Sequence, residues 1–317
     1  MTLVLQLVPY NDSATLPFLL DSLVEQTDRD WTLYVLDNSD DANERARTDE
    51  IIECYRDRLP IVTVANDRNI GFASGHQYLL EQHRAELVAL LNPDAILIPT
   101  WIAGLRTHLE QHDDVAAVSG HILQWDWEEG QPVLSHQIDS LGLVRAPNES
   151  VRDIGRGQTV DEAPKEPVEV FGISGCLPMY RRAAVTASSH DGTLFDAAYG
   201  SYKEDVDLAY RLHRRGWITR VIPTIAYHRR AFRPSYWRSK GLARREYLSY
   251  RNHWWNLLTH LSARDMLRRG WRIAAFEAVK LGYMFLRHPS FPIRALRETR
   301  AYWPTIKAKR HWYGLRS

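Results

Sequence analysis

Short apolar runs alternate with longer stretches of helical periodicity through the first 123 residues of the chain. The apolar runs predict strands, and the stretches in which apolar residues recur every three to four positions predict helices. The predicted strands are 3–8, 32–37, 61–66, 86–91 and 115–123, and the predicted helices are 14–26, 43–58, 73–84 and 100–112. This alternation is typical of an α/β sheet whose strands are mostly parallel.

The pattern changes twice after residue 123. Residues 124–167 lose the periodicity and are rich in Gly, Pro and charged residues, so we interpret them as an irregular insertion. Order returns over 168–185, and beyond residue 235 the chain is helical, with Arg and Lys interleaved with Trp, Tyr, Phe and Leu. We therefore predict two units, an α/β domain over residues 1–234 and a basic, aromatic-rich helical extension over 235–317.

The composition is that of a globular protein, but its charge is unevenly distributed. With 317 residues and 44% hydrophobic content the chain can bury a substantial core, which excludes a disordered or fibrous protein. The net charge is only +1. From Arg211 to the C-terminus, however, there are 25 Lys and Arg residues and only 4 Asp and Glu. This asymmetry indicates an anionic partner or surface.

The cysteine pattern and the N-terminus bear on location. Cys54 and Cys176 show no metal-ligand spacing, so neither a disulfide framework nor a zinc site is indicated. The first residues lack the basic segment and cleavage site of a signal peptide, and no run of about 18 apolar residues could span a bilayer. We expect a cytoplasmic location, with a peripheral position on the inner face of the plasma membrane left open.

Polar residues close several predicted strands, and in open α/β sheets ligands bind beyond the carboxyl ends of the strands. Asp94 follows a buried strand and the stiff Asn92-Pro93 step, which would hold its carboxylate at this edge. A turn in which Asp94 caps the next helix is the alternative. Asp37 ends the second strand, where it can hold a nucleobase or ribose hydroxyls, or simply cap a helix.

A glycine-bearing segment, NIGFASG, follows the third strand and opens a helix. Gly71 and Gly75 allow the backbone to approach a ligand closely, and a helix N-terminus favours negative charge. The spacing matches neither a dinucleotide fingerprint nor a phosphate loop.

An acidic cluster stands at the start of another predicted helix. Glu204, Asp205 and Asp207 follow the aromatic stretch FDAAYGSY. They can satisfy the helix dipole, or one of them can act as a general base in a partly dry pocket. His228 ends a later apolar run, as a surface residue or as a metal ligand.

Seven motifs in order give the chain a resemblance to a known family. They are VPYN, LDNSDD, NIGFASG, LNPDAIL, FGISGCLPMYRR, FDAAYGSYKEDVDLAYRLHRRGW and YHRR, followed by YRN at 250–252. From about Leu3 to about Asn252 the chain resembles the family 2 glycosyltransferases of the GT-A fold, and most of all the bacterial rhamnosyltransferase-type members. The resemblance implies a Rossmann-like α/β sheet and an inverting transfer of a sugar from a nucleotide-activated donor to a hydroxyl, helped by a divalent cation.

The resemblance also implies roles for individual residues. Asp37 corresponds to the acid that holds the nucleotide base, and Asp94 to the last acid of the metal-binding DXD motif. Asp205 corresponds to the catalytic base, with Glu204 as its closest competitor, and His228 to a histidine that joins the metal or the diphosphate. The other assignments are Pro9, Tyr10, Asn11, Asn69, Gly71, Phe72 and Asn92 to the donor nucleotide, and Gly175, Cys176 and Trp125 to the acceptor or sugar. For Trp125, ordinary packing is the alternative.

The metal motif departs from the family pattern, because Asn92-Pro93-Asp94 stands where two acids are usual. A single carboxylate binds a cation weakly, so donor oxygens, waters and His228 must complete the shell of Mg²⁺ or Mn²⁺. The Asn-Pro-Asp form is common in the rhamnosyltransferase-like branch. The resemblance therefore makes dTDP-rhamnose the favoured donor, with UDP- and GDP-sugars as alternatives.

The expected function is sugar transfer to a glycan or lipid-linked acceptor in cell-surface polysaccharide synthesis, and two other classes remain as alternatives. A nucleotidyltransferase should show a glycine-rich, basic phosphate loop near the N-terminus, and VPYNDSATLP has none. A nucleic-acid-binding module could use the basic tail. The mixture of aromatic, Leu and basic residues there fits an anionic membrane surface better. Helices packed on the core with a solvated basic face are the plain alternative.

Overall fold

The computed structural model describes residues 1–229 and 240–315, which form twelve strands and nine α-helices in this part of the chain. The strands are β1 (Leu3–Leu7), β2 (Thr32–Val35), β3 (Ile61–Thr63), β4 (Leu87–Leu91), β5 (Ala95–Leu97), β6 (Val115–Glu128), β7 (Gln131–Ser140), β8 (Leu143–Arg145), β9 (Val151–Asp153), β10 (Val168–Glu169), β11 (Met179–Arg181) and β12 (Ile218–His228). The helices are α1 (Leu16–Val24), α2 (Ala42–Tyr55), α3 (Phe72–Glu81), α4 (Trp101–Gln111), α5 (Arg182–Ser188), α6 (Glu204–Arg214), α7 (Lys240–His260), α8 (Ala263–Arg287) and α9 (Ser290–Trp312).

The central sheet is mostly parallel, as the alternation of apolar runs and helices predicts. Its order is β10-β12-β6-β11-β4-β1-β2-β3, with β5 added to β12 and β7 to β6. Strand β1 pairs in parallel with β2 and β4, whereas β11 runs antiparallel between β4 and β6. Every strand and helix predicted before residue 123 is present, within a few residues of its predicted ends.

Helices cover both faces of the sheet. The side chains of α1 and α4 pack on one face with Leu5, Leu7 and Leu91, and those of α3, α5 and α6 pack on the other with Val88 and Leu90. Strands β1 and β4 are buried along their whole length. This explains why they are continuous apolar runs rather than alternating ones.

The prediction of an irregular insertion over residues 124–167 is wrong. Strand β6 continues to Glu128 and returns as β7 in an antiparallel hairpin, and β8 and β9 form a small sheet of their own. The hairpin is missed because its tip is solvated, so polar residues fill the strands there and hide the pattern. Its inner end, Ile138 to Ser140, is buried.

The C-terminal part is helical, as predicted, and α7 is packed against the α/β unit. Tyr250 and Trp255 of α7 are buried, and Trp255 lies in a cluster with Tyr199 and Ile306. The predicted boundary between residues 234 and 235 lies outside the described residues. Among the residues that the structure describes, no helix is both long and apolar enough to cross a membrane.

Candidate active site

Asp94 and His228 meet at the end of the sheet because β5 pairs with β12. The antiparallel register sets Ala95 opposite His228. The Nε2 atom of His228 lies 3.4 Å from Oδ1 of Asp94 and 3.2 Å from Nδ2 of Asn92. Its Nδ1 atom lies 3.0 Å from Oδ2 of Asp139, which is fully buried in β7. The imidazole is therefore held between two carboxylates.

These residues fit a divalent cation of the kind that the sequence predicts. A metal-ligating histidine usually has its second ring nitrogen bound to a carboxylate, which is the contact that Asp139 makes with His228. Burial lowers the pKa of His228, but Asp94, Cys176 and Asp139 outweigh burial and raise it well above its ordinary value, so a cation would have to displace a proton from this imidazole. In the part of the chain that is described, no group of three or more His, Cys, Asp or Glu could hold a metal by itself. For a cation at this point the chain would offer Asp94 and His228, and the other ligands would have to come from the donor and water.

Trp125 packs against this end of the sheet and binds the backbone of Asp94. Its indole N–H donates a hydrogen bond of 2.8 Å to the carbonyl oxygen of Asp94. The ring is buried and packs edge-on against Phe18. Trp125 therefore follows the packing alternative, and its face is not offered to a sugar.

A cleft of about 1170 Å³ opens beside His228 and the start of α6. Of the predicted site residues it is lined by Phe72, Asn92, Gly175, Cys176, Glu204, Asp205 and His228. Its wall also carries four basic side chains that the sequence analysis did not single out, Arg152, Arg156, Lys203 and Arg245. The structure therefore brings the acidic cluster and the His228 end of the predicted metal site into one cavity.

Asp205 is held in a fixed orientation inside this cleft. Its Oδ2 accepts a hydrogen bond of 3.0 Å from the N–H of Gly175, and its Oδ1 accepts one of 2.8 Å from the N–H of Val206. Burial raises the pKa of this carboxyl, while Lys203 and the two N–H groups oppose the rise. Hydrogen bonds to the charged form favour ionisation, so Asp205 is suited to carry a negative charge.

The carboxyl group of Glu204, unlike that of Asp205, lies in surroundings that disfavour a negative charge. It is buried, and among the described residues its Oε2 has no hydrogen-bond partner. Burial, helped by the charge of Asp205, raises the pKa of Glu204 to about 8. Glu204 is therefore mostly protonated at neutral pH, and the two neighbouring carboxyl groups share a single negative charge.

Asp207, the third acid of the cluster, is part of a buried ion-pair network. Its two oxygens lie 2.8 Å from Nε of Arg211 and 2.8 Å from Nε2 of His260. Burial raises the pKa of Asp207, but these neighbours and Lys309 outweigh it and hold the pKa well below the ordinary value. Asp207 thus ties α6 to α7, and this role explains why a third acid stands there.

The second strand end is organised around Asp37 and Asn38. Oδ1 of Asp37 accepts a hydrogen bond from the N–H of Ser39, whereas its Oδ2 has no hydrogen-bond partner within the described residues. Oδ1 of Asn38 accepts hydrogen bonds from the N–H of Ile70 and from Nδ2 of Asn66. The ends of β2 and β3 are thereby joined.

Pro9, Tyr10 and Asn11 lie beside this strand end. The carbonyl of Pro9 accepts the N–H of Asn38, while Tyr10 and Asn11 both donate to the carboxylate of Asp40. Tyr10 is exposed. These three residues do not line the cleft that contains Asp205.

Gly71 makes the turn between β3 and α3. Its φ of +86° is in the region that glycine adopts readily, and a Cβ there would lie 3.3 Å from the carbonyl oxygen of Gly200. The N–H of Gly71 donates to Oδ1 of Asn69, and the N–H of Ala73 donates to the carbonyl of Gly200. The turn is thereby anchored to the loop that precedes Glu204.

Helix α7 holds that same loop from the other side. Nδ2 of Asn252 donates to the carbonyl oxygens of Tyr199, Ser201 and Tyr202, at 3.0, 3.0 and 2.6 Å. Nδ2 of Asn256 donates to the carbonyl of Lys203. Tyr202 and Lys203 have positive φ angles of 68° and 69°, which non-glycine residues rarely adopt. We call these two asparagines and the carbonyls that they bind the α7 clamp.

The sequence did not point to two acids that lie beside Asp94 or His228 in the structure. Asp139 was missed because it lies in the segment interpreted as irregular. Asp12 lies near Asp94, whose charge adds to the effect of burial and raises the pKa of Asp12 to about 6. The acid in VPYND was visible, but only the fold brings it near Asp94.

The chain is similar to one known protein family and to several solved structures. The model of the family described as Glycosyl transferase family 2 matches residues 7–187. No curated protein matches the sequence. Among solved structures, GalNAc-T7 with UDP, GalNAc and Mn²⁺ is similar with a TM-score of 0.62 at 12% identity, covering 81% of this chain and 48% of that chain.

TarS from S. aureus is also similar. The complex of TarS 1–349 with UDP-GlcNAc gives a TM-score of 0.54 at 16% identity, covering 96% of this chain and 79% of that chain. The longer TarS structure gives 0.54 at 16% identity, and this chain spans 44% of it. The chain thus spans about half the length of GalNAc-T7 and of the longer TarS. At such identities the similarity shows the fold alone, and it confirms the predicted GT-A architecture with C-terminal helices.

Proposed function

The chain belongs to glycosyl transferase family 2, and we propose that it moves a sugar from a nucleotide-diphosphate donor to a hydroxyl group of an acceptor, with inversion at the anomeric carbon. The observation that carries this proposal is that Asp205 and His228, the partner of Asp94, line one cleft. A transfer of this type needs a base and an anchor for the donor diphosphate within reach of the same sugar, and a shared cleft meets that need.

We propose Asp205 as the base that accepts the proton of the attacking hydroxyl. The N–H groups of Gly175 and Val206 fix its carboxylate in the cleft. Glu204 keeps its proton at neutral pH, so the single negative charge of the pair resides on Asp205. A general base must be ionised before it reacts, and this distribution of charge favours Asp205 over Glu204.

The donor nucleotide is proposed to lie at the ends of β1, β2 and β3. Asp37 is suited to accept an N–H of the base, because its Oδ2 makes no hydrogen bond within the described chain. The Gly71 turn and Phe72 lie between this strand end and the cleft, where backbone can approach the donor closely. Gly175 and Cys176 line the cleft beside Asp205, which supports their assignment to the sugar or acceptor.

Asp94 and His228 would hold the cation, Mg²⁺ or Mn²⁺. When bound, the cation would offset the negative charge that builds on the leaving diphosphate. Asp139 fixes one nitrogen of the imidazole of His228, so that the other faces Asp94 and Asn92. Because Asn92 contacts the same nitrogen of His228 and lines the cleft, we propose that it lies next to the bound donor.

The donor that we propose is dTDP-rhamnose, on the strength of the LNPDAIL motif, and the acceptor is a glycan or lipid-linked molecule of cell-surface polysaccharide synthesis. The structures of TarS and GalNAc-T7 contain UDP-GlcNAc, or UDP with GalNAc, which makes UDP-sugars the first alternative to test. Two free cysteines, Cys54 and Cys176, favour a cytoplasmic location.

A nucleotide panel tests the donor without knowledge of the acceptor. The melting temperature of the protein is measured with dTDP, UDP and GDP, each with Mg²⁺, with Mn²⁺ or with EDTA. We expect one nucleotide to raise the melting temperature, and to do so only with a cation. If none of the three does, the donor assignment is wrong.

Release of nucleotide diphosphate from the matching sugar donor then tests the base. Asp205→Asn should keep the nucleotide-induced rise in melting temperature and lower the rate about 10²–10⁴-fold. Glu204→Gln is the matched control, since it alters the neighbouring carboxyl. Loss of activity in Glu204→Gln with normal activity in Asp205→Asn would assign the base to Glu204.

A further inference from the structure

The outward side of α8 is apolar, although surface helices are normally polar on that side. Leu267, Trp271, Val279 and Leu286 are 89%, 70%, 74% and 90% exposed. Their spacing puts them on one side of the helix, opposite the buried Met284. We call these four residues, together with the exposed small residues between them, the apolar face of α8.

No charged residue interrupts this face between Arg272 and Arg287. The charged residues in that interval are Glu277 and Lys280, which lie on the other side of the helix. Glu277 is buried and its Oε1 lies 2.6 Å from Nε2 of His253 in α7. Lys280 stands over the ring of Tyr250. Helix α8 therefore keeps its polar contacts on the protein side and turns its apolar side outward.

Basic side chains border the apolar face. Arg264, Arg268 and Arg272 are exposed at its N-terminal end, and in the described structure none of them forms an ion pair with an acid. Helix α9 adds exposed Arg297 and Arg300. Residues 262–315 contain 12 Lys and Arg and only 3 acids. Each of these acids is already paired, Asp265 with Arg269, Glu277 with His253, and Glu298 with Arg251 and Arg294.

We propose that the apolar face of α8 lies on the surface of an anionic membrane, with the helix parallel to the bilayer plane. Leucine, tryptophan and valine side chains enter the boundary between headgroups and acyl chains, while arginines at the edge contact lipid phosphates. The face is free of charge between Arg272 and Arg287 and carries exposed arginines at its N-terminal end, and this combination is complementary to such a surface in both hydrophobicity and charge. The inference does not depend on the donor, the base or the cation proposed above.

Two other occupants fit the same face less well. A second copy packed through the same face would bring a similarly cationic surface against this one, and the three acids within residues 262–315 are already paired, so none is available to compensate the arginines. A nucleic acid would match the arginines but would leave the exposed Val279 and Leu286 against phosphates and water.

Co-sedimentation of the full chain with vesicles tests the proposal. Wild-type protein is mixed at low salt with vesicles of phosphatidylglycerol and phosphatidylcholine, or of phosphatidylcholine alone. We expect binding to the anionic vesicles only. The double substitution Val279→Asp with Leu286→Asp should lower binding at least about tenfold, because it sets two charges at the centre of the apolar face. Arg264→Gln, Arg268→Gln and Arg272→Gln should each lower binding about fivefold.

A matched control shows whether the loss of vesicle binding is specific to the apolar face of α8 or is produced by any added acid. Leu134→Asp changes another exposed leucine, which pairs with Trp125 in the β6–β7 hairpin, and should leave vesicle binding unchanged. Melting temperatures equal to the wild type would show that the α8 variants are folded, as their exposure leads us to expect.

Three results would overturn the proposal. The first is no binding of the wild type to anionic vesicles at low salt, and the second is equal binding to neutral vesicles. The third is a wild-type dimer, measured by light scattering after size exclusion, that Val279→Asp with Leu286→Asp converts to a monomer. That last result would assign the face to a second copy of the chain.

Discussion

Replacing Glu204 by Gln should change how the stability of the fold depends on pH. Burial, with the charge of Asp205 as the second cause, raises the pKa of Glu204 from 4.5 to about 8. The folded state therefore holds the proton more tightly than the unfolded chain does. The stability that this gives is fully present below about pH 4 and is lost as the pH rises through about 8. Gln, which is neutral and has the same shape, has no proton to lose.

The size of the effect follows from the two pKa values. At about 1.4 kcal/mol for each pKa unit, a rise from 4.5 to about 8 disfavours the ionised form by on the order of 5 kcal/mol at most. Asp205 shares the titration of the pair, so we expect a difference of about 3 kcal/mol between Glu204→Gln and wild type at pH 9, relative to their difference at pH 5. In a chain of this size that corresponds to on the order of 5 °C in melting temperature.

The assay is thermal unfolding of both proteins at intervals from pH 5 to pH 9. Other titrating groups are common to the two proteins, so their contributions cancel in the difference. Asp205→Asn is a useful third protein, because removing the neighbouring charge should weaken the pH dependence while burial preserves part of it. If wild type and Glu204→Gln give parallel curves from pH 5 to pH 9, then Glu204 is already ionised at low pH. Our assignment of proton and charge within the pair would then be wrong.

Three further substitutions test other parts of the structure. Asp207→Asn should destabilise the fold by about 3–5 kcal/mol in urea unfolding, because it leaves Arg211 and His260 buried without their carboxylate; a cost below about 1 kcal/mol would contradict this reading. Asn252→Ala removes three hydrogen bonds of the α7 clamp and should cost about 1–3 kcal/mol. It should also lower kcat more than it raises KM for the donor, and an unchanged kcat would argue against the clamp. Asp94→Asn should weaken cation-dependent nucleotide binding in calorimetry without lowering the melting temperature, and binding insensitive to both EDTA and this substitution would rule out the cation site.

The sheet could be predicted from the sequence because burial on two faces leaves a simple signal. Strands such as β1 and β4 are covered by helices on both sides, so they are short, continuous apolar runs between helical stretches. The hydrophobic pattern does not tell whether a strand runs parallel or antiparallel to its neighbours. The antiparallel β11, within the segment predicted to regain order at 168–185, looks like any other apolar run.

The missed hairpin explains the missed Asp139. Strands β6 and β7 are buried at one end and solvated at the other, so neither alternation nor a continuous apolar run marks them over their full length. Asp139 lies at the buried end of β7, and its role depends on contact with His228, 89 residues away in the chain. The hydrophobic pattern of a short segment contains no information about a contact with a residue so distant in the chain.

The family resemblance favoured Asp205 over Glu204 as the base, but the residues alone did not separate the two acids, because their surroundings depend on the loop before α6. Two adjacent acids at a helix start look equivalent in the sequence, and the structure distinguishes them by which oxygens meet the N–H groups of Gly175 and Val206. Tyr202 and Lys203, which directly precede the two acids, have positive φ angles. Such angles cost free energy and persist where surrounding contacts impose them, and here the α7 clamp supplies those contacts from about 50 residues further along the chain.

The α7 clamp also bears on the division of the chain at residue 234, which we keep as a proposal. Helix α7 lies beyond that boundary, yet Asn252 and Asn256 hold the loop that sets the position of Asp205. On its other side α7 meets α8 through His253 and Glu277, and through the cluster that includes Tyr250 and Met284. Helix α7 therefore contacts both the loop that precedes Glu204 and helix α8, whose apolar face we assign to a membrane. A lipid-linked acceptor would reach the cleft from that membrane, and we therefore propose that the C-terminal helices serve the same reaction as the α/β unit, so that the boundary divides the sequence without dividing the function.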